Sequence, residues 1–258
     1  MKKGILLIGH GSRYIFNKEA IEMQASALEE RTGIKVWTAY NETTMPLVDM
    51  AVEDMVKEGV EEIIAMPFFI ASGLHITRDI PRGLGIPENS SGGDVNVGGK
   101  NVKIHFEQPF GSDPVLADIL EKRIQDFGMP DSSIIVVGHG SRLPYNKEII
   151  SLNAERLKEK GHKHVFYGFN EFNEPTIGDA MNEAVKTGAE NIVVLPLFIT
   201  SGAHIGEDIP ETLGIPPHSD GGVSTKYGRS VNIKLAMPVG RDPRLVDVLV
   251  NKLEKYGI

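Results

Sequence analysis

The chain is one unit written twice. Gly9, His10, Gly11, Ser12 and Arg13 recur 129 positions later as Gly138, His139, Gly140, Ser141 and Arg142, and the offset does not change afterwards. Asn17-Lys18-Glu19 returns as Asn146-Lys147-Glu148, Asn41-Glu42 as Asn170-Glu171, and PFFIASGLHITRDIP (Pro67 to Pro81) as PLFITSGAHIGEDIP (Pro196 to Pro210). Near the end of each copy QPFGSDP, Gln108 to Pro114, matches MPVGRDP, Met237 to Pro243. A period of this length is too long for a solenoid and suits a duplicated domain. Two repeats are expected, residues 1–129 and 130–258, each long enough for an ordinary core.

Within each repeat, short apolar runs alternate with helical spacing, the pattern of βα units around a parallel sheet. Strands are expected at Ile5 to Ile8, Ile34 to Tyr40, Ile63 to Met66 and Val102 to Phe106. Ile21, Ala25 and Leu28 fall on one helical face, as do Val48, Ala51, Val52, Met55 and Val56, with Gly33 and Gly59 as stops. Pro46 fits a first helical turn, and Asp113-Pro114 reads as a cap and first residue of a last helix. The Gly- and Ser-rich segments Pro87 to Asn101 and Pro216 to Ser230 read as surface loops. The expected fold class is therefore α/β, two tandem lobes, each a four-stranded parallel sheet flanked by helices.

Loops leaving the carboxyl ends of parallel strands form the binding edge of such a sheet. His10 follows the first strand, Glu42 the second and His75 the third, and their copies are His139, Glu171 and His204. Gly9 and Gly73 stand close before the two histidines, which would let backbone approach a ligand without a Cβ in the way. Two imidazoles and a carboxylate with open positions suit a divalent first-row metal. A lone histidine in a turn is ordinarily structural. Here, however, the copies have drifted at Trp37 against Phe166, Thr43 against Phe172 and Met45 against Glu174, while the histidines, Glu42 with Glu171, and the serine-arginine pairs stand. Asp79 and Asp208 are open to two roles, helix cap or partner of a histidine. Glu174 could cap the helix that Pro175 begins. His162 and His164 read as a surface turn, though H-x-H could catch a metal loosely, and His105 and His218, which have no copies, read as incidental.

Several classes are disfavoured. The formal net charge is -8, the wrong sign for a phosphate-backbone binder, so no nucleic-acid partner is expected. No cysteine is present, which removes disulfides, thiolate metal sites and cysteine nucleophiles. MKKGILLIGHGSR is interrupted too early for a signal peptide or a span, so no membrane partner and a cytoplasmic location are expected. GHGSR lacks the G-x-S-x-G elbow of a serine hydrolase, and no G-x-G-x-x-G or P-loop follows the first strand.

The GHGSR loop, FNEFNEP and P-[FL]-F-I-x-[ST]-G-x-H-I-x-x-D-I-P together resemble the class II tetrapyrrole chelatases, the sirohydrochlorin cobaltochelatases of CbiX type, in the long fused form. The resemblance spans essentially the whole chain. It implies two chelatase-like lobes with a cleft between them, and insertion of cobalt, nickel or iron into sirohydrochlorin, the metal being a substrate and no organic cofactor being needed. It also implies that His10, His75, His139 and His204 handle metal and protons, with Glu42 and Glu171 at the acid position. Local cations and donors would then receive the substrate's carboxylates, with Ser12, Arg13, Arg78, Ser141 and Arg142 as candidates. The four histidines would face a common cleft in a monomer of pseudo-two-fold symmetry, or in a loose homo-oligomer. The alternative is a carrier that binds metal or tetrapyrrole without catalysis. YNETTMP against FNEFNEP and Arg78 against Glu207 depart from strict repetition and leave the equivalence of the lobes open.

Overall fold

The computed structural model describes residues 2–129 and 131–258; Met1 and Pro130, the first residue of each expected repeat, lie outside the described residues. β1 (Lys3–Gly9) is an unbroken apolar run because it is covered on both faces: Ile5, Leu6, Leu7 and Ile8 are fully buried. It pairs in parallel with β2 (Val36–Tyr40) on one side and β3 (Glu62–Pro67) on the other, and β3 pairs in parallel with β5 (Lys100–Phe106). β4 (Gly92–Val97) closes the edge antiparallel to β5, so the order is β2-β1-β3-β5-β4. Leu6, Ile8, Ile63 and Ile104 meet α2 (Val48–Lys57) and α3 (Ile80–Leu84) in one core through Val52, Met55, Ile80 and Leu84. Alternation sends Ile5 and Leu7 to the other face, where α1 (Ile15–Thr32) buries Ala20, Ile21 and Leu28.

The second unit repeats this plan. β6 (Ser133–Gly138) lies between β7 (Val165–Phe169) and β8 (Asn191–Pro196), and β10 (Val231–Leu235) carries the antiparallel edge strand β9 (Gly221–Ser224) in the order β7-β6-β8-β10-β9. Its helices are α5 (Tyr145–Glu159), α6 (Ile177–Lys186) and α7 (Ile209–Leu213), the last two packed on Ile135, Val137, Ile192 and Ile233.

The last helix of each repeat packs in the unit built mainly from the other. One unit comprises residues 1–110 with 243–258, and the other residues 111–242. α4 (Val115–Phe127) therefore packs against α5, and α8 (Arg244–Leu253) against α1. Hydrogen bonds secure both. Asn153 Nδ2 donates to the Gly111 carbonyl at 3.0 Å and Lys160 Nζ to Asp118 Oδ1 at 2.6 Å. Arg31 Nη1 meets Asp247 Oδ1 at 2.9 Å, Lys255 Nζ meets the buried Glu107 at 2.6 Å, and the Tyr256 hydroxyl also donates to Glu107.

The four parallel strands stand where the apolar runs place them, and each sheet adds a fifth. The supposed surface loops at 87–101 and 216–230 contain β4 and β9. Gly92 and Gly221 make this possible: a Cβ on Gly92 would lie 2.2 Å from the Ile104 carbonyl oxygen, and one on Gly221 2.3 Å from that of Ile233. Glycine here marks close strand approach instead of a loop. Pro46 and Pro175 lie before their helices, not in the first turn; each follows a cis peptide bond, and α2 and α6 begin at Val48 and Ile177. The cap of α6 is Thr176, not Glu174: Thr176 Oγ1 accepts from Asp179 N–H while Asp179 Oδ2 accepts from Thr176 N–H. Asp113 does cap, its Oδ1 accepting from Val115 N–H at 3.0 Å. Among the described residues no helix is long and apolar enough to cross a membrane.

The crossed helices have a measurable consequence. Leu120 on α4 and Leu249 on α8 are buried to within 1% of full coverage, so alanine at either costs about 2–5 kcal/mol. Hydrogen exchange should quicken in β6 and α5 for Leu120→Ala, and in β1 and α1 for Leu249→Ala. Quickening confined to each helix's own sequence repeat would contradict the crossed packing.

Candidate metal-handling site

Strand order reverses at β1 and β3 in the first sheet and at β6 and β8 in the second, and a crevice opens outside the carboxyl ends of strands at such a point. His10 leaves β1, and His75 opens a single π-helical turn, His75–Asp79, after β3. Asn41 N–H donates to the Gly9 carbonyl at 2.9 Å and Glu42 N–H to the His10 carbonyl at 3.1 Å. The β1–β2 ladder thus continues past the strand ends and sets Asn41 and Glu42 beside His10. In the second lobe Asn170 N–H donates to Gly138 and Glu171 N–H to His139, at 3.0 and 2.9 Å.

The glycines around His10 serve this loop packing. Gly11 has φ +90°, and a Cβ there would sit 1.8 Å from the Glu42 carbonyl oxygen; Gly140, at φ +95°, meets Glu171 at the same distance. Gly9 gives room to Ile21, whose Cδ1 would be 1.8 Å from a Cβ, and not to a ligand as expected; Gly73 does face open space. Asn17 and Asn146 complete the loop, their Oδ1 atoms accepting from Gly11 and Gly140 N–H at 3.3 and 3.0 Å.

The two rings of each lobe meet edge to face, with centroids 4.6 Å apart for His10 and His75 and 4.8 Å for His139 and His204. Their Nδ1 atoms are occupied. His10 Nδ1 lies 3.0 Å from the Gly11 carbonyl and His139 Nδ1 3.2 Å from that of Gly140. His75 Nδ1 lies 3.0 Å from Asp79 Oδ2, and His204 Nδ1 2.6 Å from Asp208 Oδ2. Carbonyls and carboxylates only accept, so the neutral rings carry their proton on Nδ1 and present the Nε2 lone pair. Asn41 and Asn170 brace the same edge, with Nδ2 placed 2.9 and 3.0 Å from His75 and His204 Nδ1; the Nδ1–H tautomer set by the aspartates requires these amides to be turned so that Oδ1 meets the ring. Asp79 and Asp208 are thus histidine partners, and neither side chain caps α3 or α7.

The remaining expected residues fall around this pair. Glu42 Oε1 lies 3.7 Å from His10 Nδ1, and Glu171 Oε1 4.0 Å from His204 Nε2. Ser12 and Ser141 close turns, each Oγ accepting a backbone N–H two residues on at 3.1 Å. Arg13 and Arg142 are exposed, and Arg142 lies over the Phe172 ring at 5.5 Å. Arg78 Nε donates to Asp79 Oδ1 at 2.8 Å, which with the His75 contact holds the Asp79 carboxyl below its ordinary pKa. Among the described residues no group of three or more His, Asp or Glu side chains is placed to hold a metal ion. Each lobe instead brings together a pair of imidazoles with Nε2 left open.

Other features lie apart. His162 binds Glu121 at 2.5 Å and so does not act with His164, and His105 binds the buried Glu62 at 3.0 Å, a packing role in place of an incidental one. An open depression of about 870 Å³ lined by Glu22, Glu29, Glu30, Lys35 and Val36 borders the amino end of β2, away from the histidine edge. Asn17, Asn41 and their copies shape the loop and brace the rings, positions that residue chemistry alone did not single out although their recurrence marks them.

Paired imidazoles at the switch point of each lobe mark a duplicated α/β protein whose candidate site lies at its strand ends. Comparison with known proteins agrees in fold and in sequence. The CbiX family model matches residues 4–127 and again 133–256, so the chain belongs to the CbiX family. A sirohydrochlorin cobaltochelatase from Methanosarcina barkeri is 39% identical over 126 residues, 48% of this chain and 96% of that protein; one from Methanopyrus kandleri is 33% identical over 136 residues, 48% and 95%. These relatives are about the length of one repeat. The solved structure of SirB from Bacillus subtilis with Fe3+ superposes with a TM-score of 0.72 at 20% identity, covering 99% of this chain and 95% of that one, which speaks to the fold.

Two outcomes follow from the loop geometry. Gly11→Ala or Gly140→Ala should destabilise the protein by about 1–3 kcal/mol in thermal unfolding, because each needs a positive φ and has no room for Cβ; a neutral effect would contradict the loop packing. Removing the guanidinium in Arg78→Ala should raise the Asp79 carboxyl pKa toward the ordinary range, read by carboxyl NMR titration; an unmoved titration would contradict the ion pair.

Proposed function

We propose that the protein inserts a divalent metal into sirohydrochlorin, cobalt first and nickel or iron as alternatives, on a cytoplasmic route to cobalamin or a related tetrapyrrole. As a member of the CbiX family the protein is a metal chelatase, and relatives named sirohydrochlorin cobaltochelatase support this macrocycle and this metal. The observation that carries the reading is the imidazole pair of each lobe, with Nδ1 committed and Nε2 open.

Insertion asks two things of a protein: a cation held loosely enough to be surrendered, and bases for the pyrrole N–H protons that the macrocycle loses. Imidazole titrates near neutrality and serves both. In this reading His10, His75, His139 and His204 hold the metal through Nε2 and take up protons, while Glu42 and Glu171 swing in as third donors. Nitrogen and oxygen donors accept cobalt, nickel and iron alike, so the ligands do not select among them. Arg13, Arg78 and Arg142 offer the macrocycle's carboxylates a planar fork, and the Ser12 and Ser141 hydroxyl protons stay free to donate while Oγ accepts from backbone.

The test follows the absorption spectrum of sirohydrochlorin mixed with cobalt(II), with and without protein. Wild-type protein should accelerate insertion, and the double variant His10→Ala, His139→Ala should lose roughly 10²–10⁴-fold of it. A rate equal to the protein-free control would overturn the proposal, and stoichiometric binding without acceleration would establish a carrier instead.

A further inference from the structure

The repeat allows the two histidine pairs to be compared position by position; next to the aspartate that backs each pair the charge reverses, Arg78 against Glu207, and Arg82 against Glu211 reverses in the same sense four residues on. In the first lobe the Asp79 carboxylate is divided: one oxygen faces His75 Nδ1 at 3.0 Å and the other accepts from Arg78 Nε at 2.8 Å. In the second lobe Asp208 faces His204 Nδ1 at 2.6 Å, while Glu207 turns its carboxylate toward His218 Nε2 at 3.9 Å. A carboxylate that backs a single imidazole makes the opposite nitrogen a stronger donor than one whose charge is shared with a guanidinium.

The acid after the second strand differs as well. Glu171 Oε1 stands 4.0 Å from His204 Nε2, the nitrogen with the lone pair, whereas Glu42 Oε1 stands 3.7 Å from His10 Nδ1, the nitrogen already turned to the Gly11 carbonyl. One acid is on the donor side of its pair and the other is not. The same loop carries Glu174 where the first lobe has Met45. Beside the first pair Asp79 is paired with Arg78, whereas beside the second the copied position next to Asp208 holds the acid Glu207, and Glu171 lies on the lone-pair side of His204. A dication therefore meets less negative charge at the first pair than at the second.

We propose that the two lobes are a weak and a strong site for the same divalent cation, that the second lobe is the strong one, and that residues 78 and 207 set the difference. This rests on the chelatase reading only in naming the cation as the reaction's metal. The second lobe is then the place where metal is acquired, and the first, with Arg78 beside its histidines, the place suited to the anionic macrocycle.

The experiment titrates the whole protein with cobalt(II) chloride, without macrocycle, by calorimetry and by the visible bands of bound cobalt. Wild type should show two classes of site differing roughly 10–100-fold in affinity. His204→Ala should remove the tight class and His75→Ala the weak one. Arg78→Glu should tighten the weak class and Glu207→Arg loosen the tight one, while Arg78→Lys and Glu207→Asp, which keep the charge, should leave the wild-type pattern. Arg78 and Glu207 have side chains 41% and 62% exposed, so these exchanges do not disturb the core. Equal affinities, a tight class that survives His204→Ala, or charge exchanges without effect would each overturn the proposal. Unequal affinities in a protein that fails to accelerate insertion would leave it standing and sink the chelatase reading instead.

Discussion

Everything at the strand ends depends on where four imidazole protons go. A neutral imidazole has one N–H and one lone pair, and whichever nitrogen donates internally leaves the other to a ligand. Here Nδ1 is claimed by a backbone carbonyl at His10 and His139, and by an aspartate at His75 and His204. The carbonyls belong to Gly11 and Gly140, held at positive φ against the next loop. The aspartates come one π-helical turn after their histidines, a wide turn that brings position i+4 under position i. Local backbone geometry therefore decides the tautomer, and the tautomer decides that Nε2 is the atom left open.

Duplication supplies this arrangement twice, and the crossing of α4 and α8 makes each unit depend on both halves of the sequence. Divergence is visible in charge and not in scaffold: the ladders, the glycines, the asparagines and the ring geometry agree between lobes to within a few tenths of an ångström, while residues 45 and 78 and their copies differ in kind.

Much of this was legible in the chain itself. The repeat, the parallel strands and the placement of His10, Glu42 and His75 at one edge follow from apolar periodicity and from the rule about strand ends. The edge strands were not, because Gly92 and Gly221 read as loop formers while their real task is to admit a neighbouring carbonyl. The crossed helices were not either: Leu120 and Leu249 show an apolar face, and a face does not say which partner covers it. Asn17 and Asn41 were passed over since an amide carries no chemistry of its own; only contact shows that one shapes the loop and the other braces a ring. The reason for Gly9 was misread for the same cause, Ile21 being invisible as a neighbour until the helix is in place.

The central claim concerns a proton, and nitrogen-15 NMR of the metal-free protein with labelled histidine reads it directly. Two-bond nitrogen–proton correlations distinguish the tautomers of a neutral imidazole. The account predicts the Nδ1–H form for neutral His10, His75, His139 and His204, with an unprotonated Nε2 that shifts on adding cobalt(II). Protons found on Nε2 in these rings would contradict it.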